Sequence, residues 1–504
     1  MNTNPNYEIK LNTTEYRDKV YACWLGKNIG GTMGTPYEGT HEYLDVQGFV
    51  TKAGEVLPND DLDLQLIWLA AVERCGIQRI SAQTLGEFWL SYITPHWNEY
   101  GIGKANMKMG LLPPLSGDYH NEWKDSNGAW IRTEIWACLE PGRPDYATKY
   151  AQDDACVDHG TGEGTYAAIF VAAMQSAAFA LTKIRECIEV GLSKIPEECR
   201  VAQSVRLAID CYDQKLAPKE AREKIRLSNA DIGDGWFEAP SNVAYTVLGL
   251  LYGEGDFKKS MIVAINCGDD TDCTAATVGA TLGILYGMKG IPMDWAEHLG
   301  DSIVTVSINR GTIWDLPKTC TELTERVVAQ AKLTTSLKHI YPDYCYDWQN
   351  TYLVEGESEI PDGLCERYKS CPLTADRLAR FFPNSFEIVN DTFRAQVIFE
   401  NGADVRPNEQ TKLRIRFKTC ERLIGNMVPL RLTLRWWLPD GWSVDGQMRV
   451  TLSGGNQRRK EWETPVVEYV LTAPDRISPE NRIVVEVLAD QRPSPLYLPI
   501  VLMG

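Results

Sequence analysis

The sequence lacks the features that define several common protein classes. Its 504 residues include only six histidines, which are dispersed along the chain and exclude a histidine-rich metal site. The 14 cysteines have no paired CxxC spacing, so we interpret them as buried thiols of a reducing compartment and not as a disulfide framework. No segment approaches the roughly 20 uninterrupted apolar residues that a membrane-spanning helix needs.

Positive charge is also scarce. The formal net charge is −17, and neither a basic stripe nor a zinc-finger spacing is present, which argues against a nucleic-acid partner. The first residues lack the basic-then-apolar order of a secretory signal. We therefore expect a cytoplasmic protein with no membrane association. A hydrophobic content of 44% is ordinary for soluble proteins, and the chain is long enough for two domains.

The period of the hydrophobic pattern changes near residue 335. Before this point, helical periodicity predicts an all-α region with segments at 16–27, 61–74, 166–182, 201–214, 244–252 and 274–286. After it, apolar and polar residues alternate, which predicts strands at 395–400, 412–418, 430–436, 466–471 and 483–488. We predict a multidomain fold made of an all-α helical domain over 1–337, a linker over 338–364 and a small antiparallel β-sandwich over 365–504.

The stretch NCGDDTDCTAATVGATLGILYG places Asp269, Asp270 and Asp272 directly before a helical segment of small and apolar residues. Carboxylates beside a buried helix need a cation, hydrogen-bond donors or a proton. Helix capping would explain one of these acids, and it remains an alternative. Three acids together are more typical of oxygen ligands for a hard cation such as Mg²⁺, Mn²⁺ or Ca²⁺. The small residues that follow share one helical face, so another backbone can approach closely.

Two further segments have related features. The stretch PNDDLDLQLIWLA places Asn59, Asp60 and Asp61 at the start of an apolar helix, where capping is again the structural alternative. The stretch WLGKNIGGTMGTPYEG has four glycines at which the backbone turns or passes closely, and it ends on Glu38. Two acidic helix starts in one helical domain favour a shared cation site.

Together with NGAWIRTEIW and DHGTGEGTYAA, these motifs in this order resemble the ADP-ribosylglycohydrolase family. The resemblance covers roughly residues 15–330, and the sandwich looks like an added domain. It implies a metal-dependent hydrolase that cleaves an N- or O-glycosidic bond at the anomeric carbon of an ADP-ribosyl group. The expected partner is an ADP-ribosylated protein or a small-molecule glycoside.

The resemblance also implies which residues form the site. Two Mg²⁺ ions, or Mn²⁺ in their place, would be held by Asn59, Asp60, Asp61, Asp270, Asp272 and Cys273. The implied catalytic residues are Glu38, Asp61 and Asp270, with Glu38 as a mobile proton-transfer group beside the ions. The implied substrate-binding residues are Asn127, Gly128, Ala129, His159 and Gly160.

Several positions depart from the family pattern, which indicates a divergent branch. Asn59 stands where the family usually has Thr or Ser, and Cys273 replaces the Thr that completes the second acidic motif. A thiol is a poor Mg²⁺ ligand, so either Cys273 turns away or the second ion is bound weakly. Arg132 is explained equally by helix capping or by pairing with Glu134, and we interpret it as structural.

Two other functions stay open on the sequence. The first is a glycoside hydrolase acting on a furanoside or another sugar that lacks ADP, and the second is a non-catalytic binding or structural relative. Retention of the acidic residues weighs against the second. The aromatic residues between 88 and 136 suit stacking on adenine or on a sugar, although we expect most of them in the core. No acidic pair or histidine cluster follows residue 365, so the catalytic centre is expected within 1–337.

Overall fold

A computed structural model describes residues 7–233, 235–309, 313, 315–336, 349–390, 392–419, 429–452, 466–490 and 492–504. Its helices are α1 Thr13–Gly34, α2 Asp60–Cys75, α3 Ala82–Tyr92, α4 Asn98–Met109, α5 Leu115–Asp118, α6 Glu134–Leu139, α7 Pro144–His159, α8 Glu163–Ala178, α9 Ile184–Leu192, α10 Arg200–Asp213, α11 Pro218–Ser228, α12 Ala239–Tyr252, α13 Phe257–Asn266, α14 Thr271–Tyr286, α15 Met293–Leu299, α16 Cys320–Ser336, α17 Leu364–Ser370 and α18 Leu373–Leu378. Its strands are β1 Tyr7–Asn12, β2 Gln349–Val354, β3 Ser385–Val389, β4 Phe393–Phe399, β5 Gln410–Thr419, β6 Leu430–Trp437, β7 Ser443–Gly446, β8 Arg449–Leu452, β9 Val467–Thr472, β10 Glu480–Ala489 and β11 Leu496–Met503.

The helical region and the sheet region follow one another as the sequence predicts, and each of the six predicted helical segments coincides with a helix. One addition is a parallel pair of strands, in which β1 runs beside β2 with Tyr7 opposite Gln349. β2 lies inside the predicted linker, whose residues 338–348 are outside the described part of the chain. The exact domain boundaries stay a prediction.

The close approach of α1 and α14 forms the centre of the helical region. The sequence left two roles open for the glycines after residue 27, a turn or a close backbone contact, and the second is observed, because α1 continues through them to Gly34. The reason is packing, because a methyl group at Gly30 would overlap the backbone of Ala275, and one at Gly34 would overlap the backbone of Asp272. The glycines thus let two backbones touch, and this contact fixes the acidic start of α14 at the end of α1.

This packing predicts a large difference between two glycine substitutions. Gly30→Ala should destabilise the protein by about 1–3 kcal/mol, because the added methyl group forces the two helices apart. Gly48→Ala is the matched control, since no heavy atom lies within 4 Å of its added methyl group. Urea unfolding of both variants measures the difference. Equal stability of the two would show that the helix contact can relax without cost.

The C-terminal region is an antiparallel β-sandwich, as predicted. A four-stranded sheet has the order β11-β10-β6-β8, and a five-stranded sheet has the order β3-β4-β5-β9-β7. Inward side chains of both sheets share one hydrophobic core, which includes Leu413, Ile415, Leu432 and Val485. The alternation along β5 therefore separates buried residues from the charged residues on its other face.

The sandwich contacts the helical region at the end of α4. Leu111 and Leu115 join the sandwich core, and Arg482 donates a hydrogen bond from Nη2 to the carbonyl oxygen of Met109 at 3.2 Å. Nearby, the hydroxyl of Tyr119 donates to Asp404 Oδ1 at 2.6 Å. The start of this same helix, α4, lies at the cavity described below. Among the described helices, none is both long enough and apolar enough to span a bilayer.

Candidate metal and active site

A cavity of about 640 Å³ lies where the end of α1 and the starts of α2, α4 and α14 meet. Its described lining residues all fall between Thr35 and Val306, so no described sandwich residue contributes to it. Carboxylates dominate the charged part of the wall, which contains Glu38, Asp60, Glu99, Asp270 and Asp272. The cavity therefore collects both acidic motifs that the sequence singled out.

The start of α2 presents one side of the acidic cluster. Asn59 is the N-cap of this helix, because its Oδ1 accepts a hydrogen bond from the backbone N–H of Asp61 at 2.7 Å. Asp60 faces the cavity, and its Oδ2 accepts a hydrogen bond from the Tyr100 hydroxyl at 2.9 Å. Asp61 is fully buried. The start of α2 therefore has both a capping residue, Asn59, and two adjacent acids, Asp60 and Asp61.

A buried lysine compensates the charge of Asp61. The Nζ of Lys27 lies 3.9 Å from Asp61 Oδ2 and 3.2 Å from Glu134 Oε1, and it donates a hydrogen bond to the carbonyl oxygen of Ile131 at 2.7 Å. Burial lowers the pKa of Lys27, but the carboxylates of Glu134 and Asp61 outweigh it and raise this pKa above its ordinary value. Lys27 is therefore charged in the folded protein.

Loss of this cation should destabilise the fold. Lys27→Met keeps most of the side-chain volume but leaves the carboxylates of Asp61 and Glu134 buried without a cation, at a cost of about 3–5 kcal/mol. Lys10→Met is the control, because the ion pair between Lys10 and Glu359 is exposed. Thermal unfolding compares the two variants. A Lys27→Met protein as stable as the control would mean that the acids are neutralised in another way.

The start of α14 presents the opposite side of the cluster. Asp270 is the N-cap residue of this helix, and its Oδ2 accepts a hydrogen bond from Asn127 Nδ2 at 2.6 Å. Asp269 turns away from the cavity, and its oxygens accept hydrogen bonds from Phe237 N and Asn242 Nδ2, each at 3.0 Å. Of the three acids in this motif, Asp270 and Asp272 therefore line the cavity, while Asp269 holds the backbone at Phe237 by a hydrogen bond.

The acidic side chains form two overlapping groups. Ligand atoms of Glu38, Asp270 and Asp272 lie within 4.8 Å of one another, and so do those of Asp61, Asp272 and Cys273. Within these two groups, three buried carboxylate oxygens accept no hydrogen bond from the described residues: Asp61 Oδ2, Asp270 Oδ1 and Asp272 Oδ1. Buried carboxylates without donors are costly, and hard divalent cations prefer carboxylate oxygen. These carboxylate oxygens therefore fit as ligands of such cations, and Asp272 belongs to both groups.

Cys273 contacts this cluster as a hydrogen-bond donor. Its Sγ donates to Asp61 Oδ1 at 3.3 Å. Burial, reinforced by the carboxylates of Asp270 and Asp272, raises the pKa of the Cys273 thiol well above its usual range. Cys273 therefore does not turn away from the cluster, as one alternative from the sequence had it. A protonated thiol binds Mg²⁺ poorly, so a role of Cys273 as an ion ligand stays a prediction.

Glu38 follows a short 3₁₀ turn, Thr35–Tyr37, that continues from the end of α1. Its side chain is exposed at the rim of the cavity and accepts no hydrogen bond from the described residues. The negative charge of Asp272 raises the pKa of Glu38 to about 8, with smaller contributions from partial burial and Asp60. Glu38 is thus close to the acidic cluster without being fixed by it.

The predicted substrate residues divide into two sets. Asn127 and Gly128 line the cavity, whereas Ala129, His159 and Gly160 lie outside its described wall. His159 is fully buried, with Nε2 3.1 Å from Ser126 Oγ. Ser126 does line the cavity, so His159 is placed to support a wall residue. Direct contact of His159 and Gly160 with substrate stays a prediction.

Arg132 has the structural role that the sequence favoured. Its guanidinium is fully buried, where its Nε donates to Asp154 Oδ1 at 2.9 Å and its Nη2 donates to Asp158 Oδ1 at 2.7 Å. The expected partner Glu134 instead lies beside Lys27. Arg132 therefore connects two carboxylates of α7 and does not line the cavity.

Sequence reasoning missed several residues of the cavity wall. They include Asn98, Glu99, Ser126, Phe237 and Val306, whereas Trp97 and Tyr100 belong to the aromatic set that the sequence indicated for stacking. The stretch HWNEYG held a usable signal, because an acid between aromatic residues at a helix start is unusual in a core. Trp89, Trp130 and Trp136 are fully buried, as expected, but Trp97 is 50% exposed. Trp97 thus offers an open aromatic surface beside the acidic cluster.

The helical region is similar to known proteins. The family model for ADP-ribosylglycohydrolase matches residues 12–332, which is more than half of the chain. Two relatives are named ADP-ribosylarginine hydrolase Tri1. The Pseudomonas putida (strain GB-1) protein is 38% identical over 49 residues, 10% of this chain and 13% of its own. The Serratia proteamaculans (strain 568) protein is 43% identical over 44 residues, 9% of this chain and 12% of its own. The chain thus spans about an eighth of the length of these relatives.

A solved structure titled "ADP-ribosylglycohydrolase-related protein complex" is 19% identical, with a TM-score of 0.44 over 64% of this chain and 99% of that chain. The family match establishes the family of this chain, because it covers more than half of the residues and includes both acidic motifs and the glycine-rich stretch. The chain belongs to the ADP-ribosylglycohydrolase family.

Proposed function

We propose that this protein is a metal-dependent hydrolase that cleaves the glycosidic bond of an ADP-ribosyl group at its anomeric carbon. The observation that carries the proposal is the pair of carboxylate groups that share Asp272 and leave three buried oxygens without hydrogen-bond donors. Family membership supports the reaction class. The names of the two partial relatives support an ADP-ribosylated arginine as the first substrate to test.

The acidic residues would hold divalent cations, Mg²⁺ first and Mn²⁺ as the alternative. Asp61 and Asp272 would hold one ion, while Asp270 and Asp272 would hold a second. Asp60 faces the same cavity, and Asn59 lines it while it caps α2. When bound, such cations would polarise the hydroxyl groups of a ribose ring and stabilise negative charge near the anomeric carbon.

The protein residues would bind the sugar and move the proton. Glu38, exposed at the rim of the cavity, would exchange a proton with the attacking water or with the leaving group. Asn127 fixes Asp270 through its hydrogen bond and so orients this side of the cluster. Trp97 offers a surface on which a sugar face or an adenine ring can stack.

A furanoside that lacks ADP is the second candidate substrate. The described lining of the cavity contains no lysine or arginine that could pair with a diphosphate, which favours a neutral sugar. Backbone N–H groups can bind phosphate without a cation, so this observation does not displace the first candidate.

An assay with several substrates separates the two candidates. The Mg²⁺-loaded protein is incubated with ADP-ribosyl-arginine, ADP-ribosyl-serine and a panel of aryl furanosides, with Asp270→Ala as the inactive control. Release of ADP-ribose by the protein but not by the variant supports the proposal. Release of sugar from a furanoside, with no turnover of either ADP-ribosyl compound, would establish the second candidate instead.

A further inference from the structure

A second cavity, of about 250 Å³, lies between the helical region and the sandwich. Its walls come from residues 78–83 and α7 on one side, and from residues 377–381, β3 and β4 on the other. It shares no described lining residue with the candidate active site. Any ligand in this cavity would therefore contact both domains and leave the acidic cluster free.

The charge of this cavity is opposite to that of the protein. Its described lining contains four cationic side chains, Lys149, Arg377, Arg380 and Arg394, and two carboxylates, Asp153 and Glu387. The excess is two positive charges in a chain whose formal net charge is −17. Such a local reversal of sign favours an anionic ligand.

The carboxylates already have partners among these cations. Lys149 Nζ lies 2.9 Å from Asp153 Oδ2, and Arg394 Nη1 lies 3.5 Å from Glu387 Oε1. Arg377 donates hydrogen bonds to Gln152 and to Thr148 Oγ1. These contacts hold three of the four cations in place.

Arg380 differs from the other three cations. Its guanidinium lines the cavity and donates no hydrogen bond to the described residues, and its charge acts on the carboxyl of Glu387, whose pKa it lowers against the effect of burial. On the same wall, Gln396 is only 5% exposed, and its Nε2 donates to the carbonyl oxygen of Arg380 at 2.7 Å. The Oε1 of Gln396 accepts no hydrogen bond from the described residues. The wall of this cavity thus contains a guanidinium whose N–H groups are not used in hydrogen bonds and a buried amide oxygen that accepts none.

We propose that this cavity binds phosphate, either free or as the monoester of a small molecule. A phosphate dianion would neutralise the excess of two positive charges, and the planar fork of Arg380 matches two phosphate oxygens. A hydroxyl group of the ligand or of a protonated phosphate would supply the donor that Gln396 Oε1 lacks. The volume suits a molecule smaller than a typical drug, such as a pentose phosphate. This site is independent of the proposed catalytic function.

Calorimetry on the full-length protein tests the proposal. The titrants are ribose 5-phosphate, inorganic phosphate and unphosphorylated ribose, in a chelating buffer that keeps divalent cations away from the acidic cluster. Ribose 5-phosphate or inorganic phosphate should bind, and ribose should not. Tighter binding of ribose 5-phosphate would identify a monoester as the ligand, whereas equal binding would identify phosphate itself.

Two variants give the matched comparison. Arg380→Ala should weaken phosphate binding about tenfold or more, because one charge-assisted contact is lost. Lys412→Ala removes a cation from β5 outside this cavity, and it should bind like the unmodified protein. Arg380 is partly exposed and its guanidinium donates no hydrogen bond to the described residues, so the loss of its charge near Glu387 should weaken the fold only slightly. Undiminished binding by Arg380→Ala, or no binding of either phosphate compound to the unmodified protein, would overturn the proposal.

Discussion

An Asp270→Ala variant is expected to lose divalent-cation binding and turnover together while it keeps its fold. Asp270 contributes to the group with Glu38 and Asp272, and its Oδ1 is one of the three buried oxygens without a donor. Burial and the charge of Asp272 raise the pKa of Asp270 well above its ordinary value. Removal of this carboxylate therefore relieves repulsion in the cation-free protein and removes a ligand from the loaded one.

Thermal unfolding with and without Mg²⁺ makes this result measurable without an activity assay. Binding at 100 times Kd should stabilise the unmodified protein by about 2.7 kcal/mol, and this stabilisation should vanish in Asp270→Ala. Asp269→Ala is the matched control, because this neighbouring acid faces Phe237 and Asn242 and not the cavity. The control should be less stable but should still respond to Mg²⁺. An unchanged Mg²⁺ response in Asp270→Ala would remove Asp270 from the ion site.

A Glu38→Gln variant should lower turnover by about 10²–10⁴-fold and leave cation affinity nearly unchanged. Glutamine keeps the shape of the side chain but cannot accept or donate the proton in the reaction. Glu38 is exposed at the cavity rim, whereas the proposed ligands Asp61, Asp270 and Asp272 are buried. The effect should therefore fall on the chemical step and not on ion binding.

Single-turnover kinetics and Mg²⁺ titration on the same preparation measure both quantities for Glu38→Gln. Tyr37→Phe is a useful control, because it alters the residue before Glu38, the last of the 3₁₀ turn, without changing the charge. Its turnover should stay close to that of the unmodified protein. If Glu38→Gln retains full activity, Glu38 has no part in proton transfer.

Many acidic residues of the candidate site could be identified from the sequence, because they lie in short motifs at helix starts. A run such as NDDLD before an apolar helix specifies both a cap and a local excess of negative charge. The structure places oxygens of Asp61 and of Asp270 each within 4.8 Å of an oxygen of Asp272, while their binding of a shared cation stays a prediction. The length of α1 was not predicted, because glycine favours turns unless a partner backbone packs against it.

The sequence by itself determined the order of helical and sheet regions, the family resemblance and the acids of the two motifs, because periodicity and short motifs are local properties. Only the tertiary structure decided which of these groups face the cavity. Asp269 and Asp270 are adjacent in the chain, yet their side chains point in different directions, because Asp269 accepts a hydrogen bond from the backbone N–H of Phe237 and Asp270 accepts one from the amide of Asn127. Contacts such as Cys273 with Asp61, or Lys27 with Glu134, join residues more than 100 positions apart, and chain order carries no information about such distances.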